Sequence, residues 1–182
     1  MRRLILGTIG LLLISIPGWA QESYPKAEVF GGFSISSIGT SSTDPLTGTT
    51  TSIRNSFYGW QASLNGNLHR GLGIVGDFGG QYKSVAGIGI SNYQYLFGPR
   101  ITIRREKVTP FVHTLFGANR TSALGVSSTN LGLGMGGGLD LNVSDRLALR
   151  VPQFDWTPIH AGGVWTTNVV RIGIGLVFKA GE

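Results

Sequence analysis

The chain has 182 residues and a formal net charge of +6, and only 13% of its residues are charged. This composition, which includes 29 glycines, excludes a disordered chain and fits one folded domain. The sequence contains no cysteine, which excludes disulfide bonds and thiolate metal sites.

The first 20 residues, MRRLILGTIGLLLISIPGWA, have the three parts of a secretory signal peptide. A basic pair precedes an apolar run from Leu4 to Ile16, and small residues occupy positions 18 and 20. A membrane anchor is the alternative, but the run is shorter than the roughly 20 residues that a spanning helix needs. We therefore expect export, with residues 1–20 as signal peptide and residues 24–179 as one folded domain. No later apolar run is long enough to span, so membrane insertion of this domain would require strands.

From residue 27 onward, apolar and polar residues alternate with the period of two that is typical of β-strands. Eight segments show the pattern: 27–38, 57–68, 72–82, 92–104, 108–121, 131–143, 147–157 and 167–178. Each is about as long as a tilted strand that crosses a bilayer. The alternation predicts one apolar face and one polar or glycine-rich face for each strand.

The segment LGLGMGGGLDLNV, residues 131–143, shows this most clearly. Its odd positions are apolar or glycine, whereas its even positions are glycine, Asp140 or Asn142. Glycine weakens a strand unless space is short, so the even face is predicted to look into a narrow interior. In segment 147–157, Pro152 predicts a bulge that shifts the alternation before Asp155. In segment 108–121 we place Val112 outward and His113 inward.

The connections alternate between long and short. Loops are expected at 39–55, 84–91, 122–128 and 158–165, and tight turns at 69–71, 105–107 and 144–146. Long loops at one end and short turns at the other are the topology of an outer-membrane barrel. An even number of strands places both termini on the periplasmic side, and the Ser/Thr/Gly-rich loop 39–55 is expected to be mobile at its tip.

Several stretches carry a resemblance to a known group: AEVFGGFS, GLGIVGDFGGQY, YLFGPRITIR, VTPFVHTLFGANR, GLGMGGGLDLNVSDRLALR and VVRIGIGLVF. The chain resembles the eight-stranded outer-membrane β-barrel proteins of Gram-negative bacteria, which include the OmpA transmembrane domain. The resemblance implies an all-β, eight-stranded antiparallel up-and-down transmembrane β-barrel in the outer membrane. The last stretch, which ends in Phe178, is similar to the strand that the barrel-assembly machinery reads. That machinery and outer-membrane lipid are therefore the implied partners, and no activity is implied.

The inward positions predict a network of ion pairs in the lumen. Its members are Glu28, Asp77, Arg100, Asp140, Arg150, Asp155 and Arg171. Buried charges must be paired, and side chains nearly fill an eight-stranded barrel, so we expect a structural role for the network. A narrow passage for ions or very small solutes is the alternative. Glu28 and Arg104 have a second interpretation, as charges at the periplasmic rim that water screens.

Aromatic and basic residues near the strand ends suggest contacts with the membrane. Girdle positions are predicted for Phe57, Trp60, Tyr82 and Tyr93 at the loop ends and for Phe111 and Phe178 at the turn ends. Arg54, Lys83 and Arg120 lie near the long loops, where they would meet lipopolysaccharide phosphates or remain solvated charges.

The sequence contains few candidate catalytic residues. It has three histidines, His69, His113 and His160, and lacks HExxH, P-loop and calcium-loop motifs. His113 beside a lumen carboxylate is the best candidate for a general base in a lipid-modifying enzyme, but a lone strand histidine is more often structural. We expect no enzyme, no metal and no other cofactor, and the absence of a clustered basic patch argues against nucleic acid. The expected role is structural, or recognition of an unknown ligand through the long loops.

Overall fold

The computed structural model describes residues 24–43, 47–85 and 87–181, and the regular elements in this part of the chain are β-strands. They are β1 (Ala27–Thr43), β2 (Thr50–His69), β3 (Leu72–Val85), β4 (Ile88–Thr102), β5 (Val108–Ala123), β6 (Val126–Asn142), β7 (Leu147–Trp156), β8 (Ile159–Ala161), β9 (Val164–Thr166) and β10 (Val169–Ala180). Within the described residues, no helix is both long and apolar enough to cross a membrane. The predicted signal peptide, residues 1–20, lies outside the described residues.

Eight of these strands form a closed antiparallel barrel. The strands β1 to β7 pair with their neighbours in chain order, and β10 lies between β7 and β1. Closure gives each of the eight strands two partners, so their backbone groups are satisfied without an exposed sheet edge. The predicted all-β fold with an eight-stranded up-and-down barrel is confirmed.

Burial in the barrel wall is the reverse of that in water-soluble proteins: apolar side chains lie outside and polar side chains lie inside. Among the described residues, 36 large apolar side chains are exposed, whereas only nine apolar side chains are buried. The exposed set includes the central residues of each predicted outward row, such as Leu64, Ile74, Phe97, Met135 and Ile174. The inward rows contain most of the buried polar and charged side chains. The predicted assignment of faces is confirmed for all eight barrel strands.

The glycines of β6 leave room for the side chains of other strands. A β-carbon on Gly136 would overlap the Phe154 backbone oxygen and the Asp155 carboxylate. A β-carbon on Gly138 would lie 3.0 Å from the Phe111 ring and 2.7 Å from the Pro152 backbone oxygen. The even face of residues 131–143 therefore looks into a crowded interior, as the sequence predicts.

A bulge interrupts β7 at the predicted place. Gln153 pairs with Gly138 of β6, but Asp140, two residues further along β6, pairs with Arg150. The same extra residue is present against β10. Because of this bulge, both Arg150 and Asp155 face inward although they are an odd number of positions, five, apart in the sequence.

The predicted long loops are wrong in part, because strands extend into three of them. Residues 39–43 pair with residues 50–54, so β1 and β2 continue well into the expected loop 39–55. The β5–β6 connection consists of Leu124 and Gly125, both with positive φ, as in the two-residue turns that match strand twist. The Ser/Thr-rich sequences pair as strands because pairing satisfies their backbone groups. The predicted mobile tip falls mainly on residues 44–46, which lie outside the described residues.

The last connection also differs from the prediction: segment 158–165 was expected to be a loop but forms most of a small hairpin. Strands β8 and β9 pair with each other, and β8 pairs with β6 at Leu131 and Gly132. The His160 and Trp165 rings lie 4.9 Å apart across this hairpin. β7 is the shortest barrel strand, and the hairpin extends the wall next to β6 beyond the end of β7.

Two of the six predicted girdle aromatics are wrong. Phe57 and Phe111 are buried and face the lumen, because each lies in phase with the polar residues of its strand. Trp60, Tyr82 and Phe178 are exposed on the outer surface. At the loop end, the Trp60 indole N–H donates to the Tyr82 hydroxyl (3.4 Å).

Candidate functional site

The structure brings the seven predicted charged residues together in the lumen. Each is at most 3% exposed. They are Glu28 on β1, Asp77 on β3, Arg100 on β4, Asp140 on β6, Arg150 and Asp155 on β7, and Arg171 on β10. Six strands thus supply charges to one interior.

Five residues form a cluster near the short turns, called here the turn-side cluster: Glu28, Arg100, Arg104, Asp140 and Arg150. Arg100 lies 3.3 Å from Glu28 and 3.2 Å from Asp140. Arg104 pairs with Glu28 at 2.7 Å, and Arg150 donates to both oxygens of Asp140 at 2.7 and 3.0 Å. Glu28 is 3% exposed, so its alternative assignment to a water-screened rim is wrong. Each carboxylate of this cluster contacts two arginines.

Aromatic rings pack against the arginines of the turn-side cluster. The Arg150 guanidinium carbon lies 4.5 Å from the Phe30 ring centroid and 4.3 Å from that of Phe111. Arg100 lies 4.0 Å from the Phe111 centroid. Such cation–π contacts are stronger where water is excluded. The two phenylalanines and two guanidiniums therefore pack together in the turn-side part of the lumen.

Four residues form a second cluster closer to the loops, the loop-side cluster: Asp77, His113, Asp155 and Arg171. Arg171 Nη2 lies 2.7 Å from Asp77 Oδ1 and 2.7 Å from Asp155 Oδ2. Arg171 Nε donates to the same Asp155 oxygen at 3.1 Å. His113 Nε2 lies 2.8 Å from Asp155 Oδ1. One arginine therefore serves two buried carboxylates.

Three glutamines complete the network. Gln61 donates to Asp77 (2.7 Å), and Gln94 accepts from Arg171 (3.1 Å). Gln153 links the two clusters, since it accepts from Arg150 (3.1 Å) and donates to Asp155 (2.8 Å). The alternation of their strands places Gln61 and Gln94 on inward faces, but the predicted network contained charged residues only. It missed Gln153 because the bulge at Pro152 obscures the phase of its strand.

The surroundings of His113 are those of an ion-pair network. Among the described residues, its hydrogen-bond partner is Asp155, which Arg171 and Gln153 also contact. No serine or threonine of the described residues forms a hydrogen bond with it. His113 is 7% exposed, so bulk water hardly reaches it. The described residues also contain no group of three or more possible metal ligands.

The basic residues near the loops are scattered. Arg54 and Arg120 are exposed. Lys83 donates to the Asn55 side chain at 2.5 Å and lies 5.8 Å from the Phe57 ring centroid. The Lys83 ammonium therefore already has partners within the protein.

Searches for related proteins found similarity only in structure: no family model matches the sequence, and no curated protein matches it. Neisserial surface protein A has a TM-score of 0.63 and 16% identity, with 87% of this chain and 99% of that chain covered. OprG from Pseudomonas aeruginosa has a TM-score of 0.59 and 11% identity, covering 88% of this chain and 98% of that one. Ail, the attachment invasion locus protein of Yersinia pestis, has a TM-score of 0.53 and 16% identity, covering 86% of this chain and 99% of that one.

At identities this low, the similarity concerns the fold and not the activity. It covers nearly the full length of each of the three barrels. The chain therefore has the fold of the bacterial eight-stranded outer-membrane β-barrels.

Proposed function

We propose that this chain is an integral outer-membrane protein with a non-enzymatic role, either as structural support of the membrane or as a recognition surface at its loop end. The observation that carries the proposal is the inverted burial of the barrel wall. Apolar side chains cover its outside, while the charged residues lie in its interior. Water would disfavour so large an exposed apolar surface, whereas lipid favours it.

The packed lumen supports a structural role over conduction. The Arg150 guanidinium contacts two aromatic rings and is held by hydrogen bonds to Asp140 and Gln153. A steady current would require these paired groups to separate in a barrel whose interior side chains nearly fill the space. The purified protein in planar bilayers should therefore show no steady channel. A reproducible open state would favour the alternative role, a passage for ions or very small solutes.

The strand extensions at the loop end support the recognition role. The β1–β2, β3–β4 and β5–β6 hairpins extend into the predicted loops, with exposed residues such as Arg54, Arg120 and Val126. Paired strands hold such residues in fixed positions, which favours binding because less conformational freedom is lost. Lipopolysaccharide phosphates are one ligand that the basic residues would suit. The barrel-assembly machinery remains the expected partner during insertion.

A matched pair of substitutions tests the membrane placement. Ile174→Arg puts a charge at the middle of the outward row of β10, whereas Val164→Arg puts the same charge on exposed β9 at the loop end. In a bilayer, the first substitution should lower the free energy of unfolding by about 2–4 kcal/mol and the second by at most about 1 kcal/mol. Reversible unfolding in lipid vesicles measures both values. Equal, small costs would contradict the membrane proposal, as would a wild-type protein that stays soluble without detergent.

A further inference from the structure

The turn end of the barrel contains an open cavity of about 770 Å³ at the mouth of the lumen. Its charged lining consists of four cations, Arg104, Arg105, Arg146 and Lys179, and two carboxylates, Glu106 and Asp145. The lining thus carries an excess of two positive charges. Cavities of this size are typical of small-molecule sites.

Positive charge is concentrated at this end of the molecule. Lys26, Arg70 and Lys107 also lie in or beside the turn-end segments. At the loop end, the described residues include only Arg54, Lys83 and Arg120 as lysines or arginines. A concave surface with an excess of one sign of charge concentrates counter-ions from solution. The turn-end cavity is therefore the part of the described surface best suited to attract an anion.

Two cations in the cavity have unused hydrogen-bond donors. Lys179 Nζ donates to Asn142 Oδ1 at 2.6 Å, which uses one of its three N–H groups. Among the described residues, no carboxylate lies within 4.0 Å of this ammonium. Arg104 pairs with Glu28 through Nη1, and its Nη2 is buried with no hydrogen-bond partner among the described residues. A buried donor without a partner costs free energy, which a bound acceptor would recover once the Arg104 side chain turned toward the cavity.

The walls of the cavity are fixed by hydrogen bonds. Asn142 donates through its side chain to the backbone oxygens of Arg105 and Glu106, both at 2.9 Å. The backbone N–H of Lys179 donates to the Arg146 backbone oxygen at 2.9 Å. The cations therefore lie on a rigid frame formed by β6, β10 and two tight turns. A rigid frame lowers the entropic cost of binding.

We propose that this turn-end cavity binds a phosphate group, with Lys179 and Arg104 on its floor and Arg105 and Arg146 at its opening. A phosphate group is negatively charged at pH 7, opposite in sign to the excess charge of the lining. Its oxygens accept several charge-assisted hydrogen bonds at once, as the unused donors require. The group belongs either to a soluble phosphate compound or to a lipid headgroup of the adjacent leaflet. This proposal does not depend on whether the barrel has the recognition role or conducts ions.

The test is a titration of the purified protein, in maltoside micelles, with inorganic phosphate at constant ionic strength. Backbone amide resonances of residues 105–107 and 144–146 should shift and saturate. Lys179→Gln should weaken phosphate binding about tenfold, the loss expected for one hydrogen bond to a charged group. Lys107→Gln is the matched control, because Lys107 is exposed at the same end and does not line the cavity. Arg146→Gln at the opening provides a second variant if Lys179→Gln does not fold.

The outcomes separate clearly. Saturable binding that Lys179→Gln or Arg146→Gln weakens and Lys107→Gln preserves supports the site. Shifts that do not saturate, or an equal loss in Lys107→Gln, would overturn it, since they indicate general attraction to a basic surface. Micelles that contain phosphatidylglycerol distinguish the source. If the lipid displaces phosphate and shifts the same amides, the occupant is a headgroup; if it does not, the occupant is soluble.

Discussion

The two halves of the lumen neutralise their charges in different ways. In the turn-side cluster, three arginines serve two carboxylates, and each carboxylate contacts two arginines. In the loop-side cluster, Arg171 alone serves both Asp77 and Asp155, with help from His113 and glutamine side chains. Removing one partner of a buried ion pair is costly because the other charge remains without compensation. The turn side should therefore tolerate the loss of an arginine, whereas the loop side should not.

Arg171→Gln should have the largest effect, because it leaves two buried carboxylates without an arginine. We expect a loss of about 3–5 kcal/mol in the free energy of unfolding in micelles. Guanidinium titration, followed by the heat-dependent shift in gel migration, measures it. The triple variant Arg171→Gln, Asp77→Asn, Asp155→Asn removes all three charges and should recover much of the loss. A cost below about 1 kcal/mol for the single variant would remove the proposed difference between the two halves.

Arg100→Gln should cost less, although Arg100 is as deeply buried as Arg171. Glu28 keeps Arg104, and Asp140 keeps two hydrogen bonds from Arg150. We expect a loss of about 1.5–3 kcal/mol in the free energy of unfolding, the range for hydrogen bonds to charged groups. The same titration gives the value. An effect equal to that of Arg171→Gln would show that the additional arginines offer no protection.

Gln153→Leu tests whether the two clusters are coupled. The change removes the hydrogen bonds that join Arg150 to Asp155 and should cost about 1–2 kcal/mol. In double-mutant cycles, Gln153→Leu and Asp155→Asn should deviate from additivity by at least about 0.5 kcal/mol because the two side chains are in contact. Glu28→Gln is the control, since Glu28 has no hydrogen bond with Gln153. Equal deviations in both cycles would mean that Gln153 is not the link.

His113→Gln should have the smallest effect of the four. Asp155 keeps Arg171 and Gln153 when the imidazole is lost, and glutamine supplies a donor of similar reach. We expect about 1 kcal/mol or less. Lipid A from cells that express the wild type or the variant should have the same mass, if His113 is structural as proposed. A mass difference that depends on His113 would instead favour a lipid-modifying enzyme.

Much of the fold and of the lumen could be read from the sequence, because strand faces follow a strict period of two. Asp77 and Arg171 were assigned to the interior from alternation alone. The bulge at Pro152 was also predictable, since proline removes a backbone donor from the strand. The girdle assignment of Phe57 and Phe111 did not use this alternation. Chain position suggested the membrane interface, whereas the phase of each strand directs these rings into the lumen.

Other features required the closed barrel. Composition marked Ser/Thr-rich segments as loops, but cross-strand pairing makes several of them strand extensions. Which arginine contacts which carboxylate depends on the relative heights of distant strands, as for Arg104 and Glu28, 76 residues apart in sequence. Gln153 links the clusters only because the bulge turns its side chain inward.

The sequence by itself determined the strand number, the inward and outward rows and the identity of the lumen charges, because these depend on local periodicity. The tertiary structure decided the pairing of those charges, the contacts of Arg150 with Phe30 and Phe111, and the gathering of Lys179 and Arg104 into one cavity. These features depend on closure and register, which set distances between strands that are far apart in the chain.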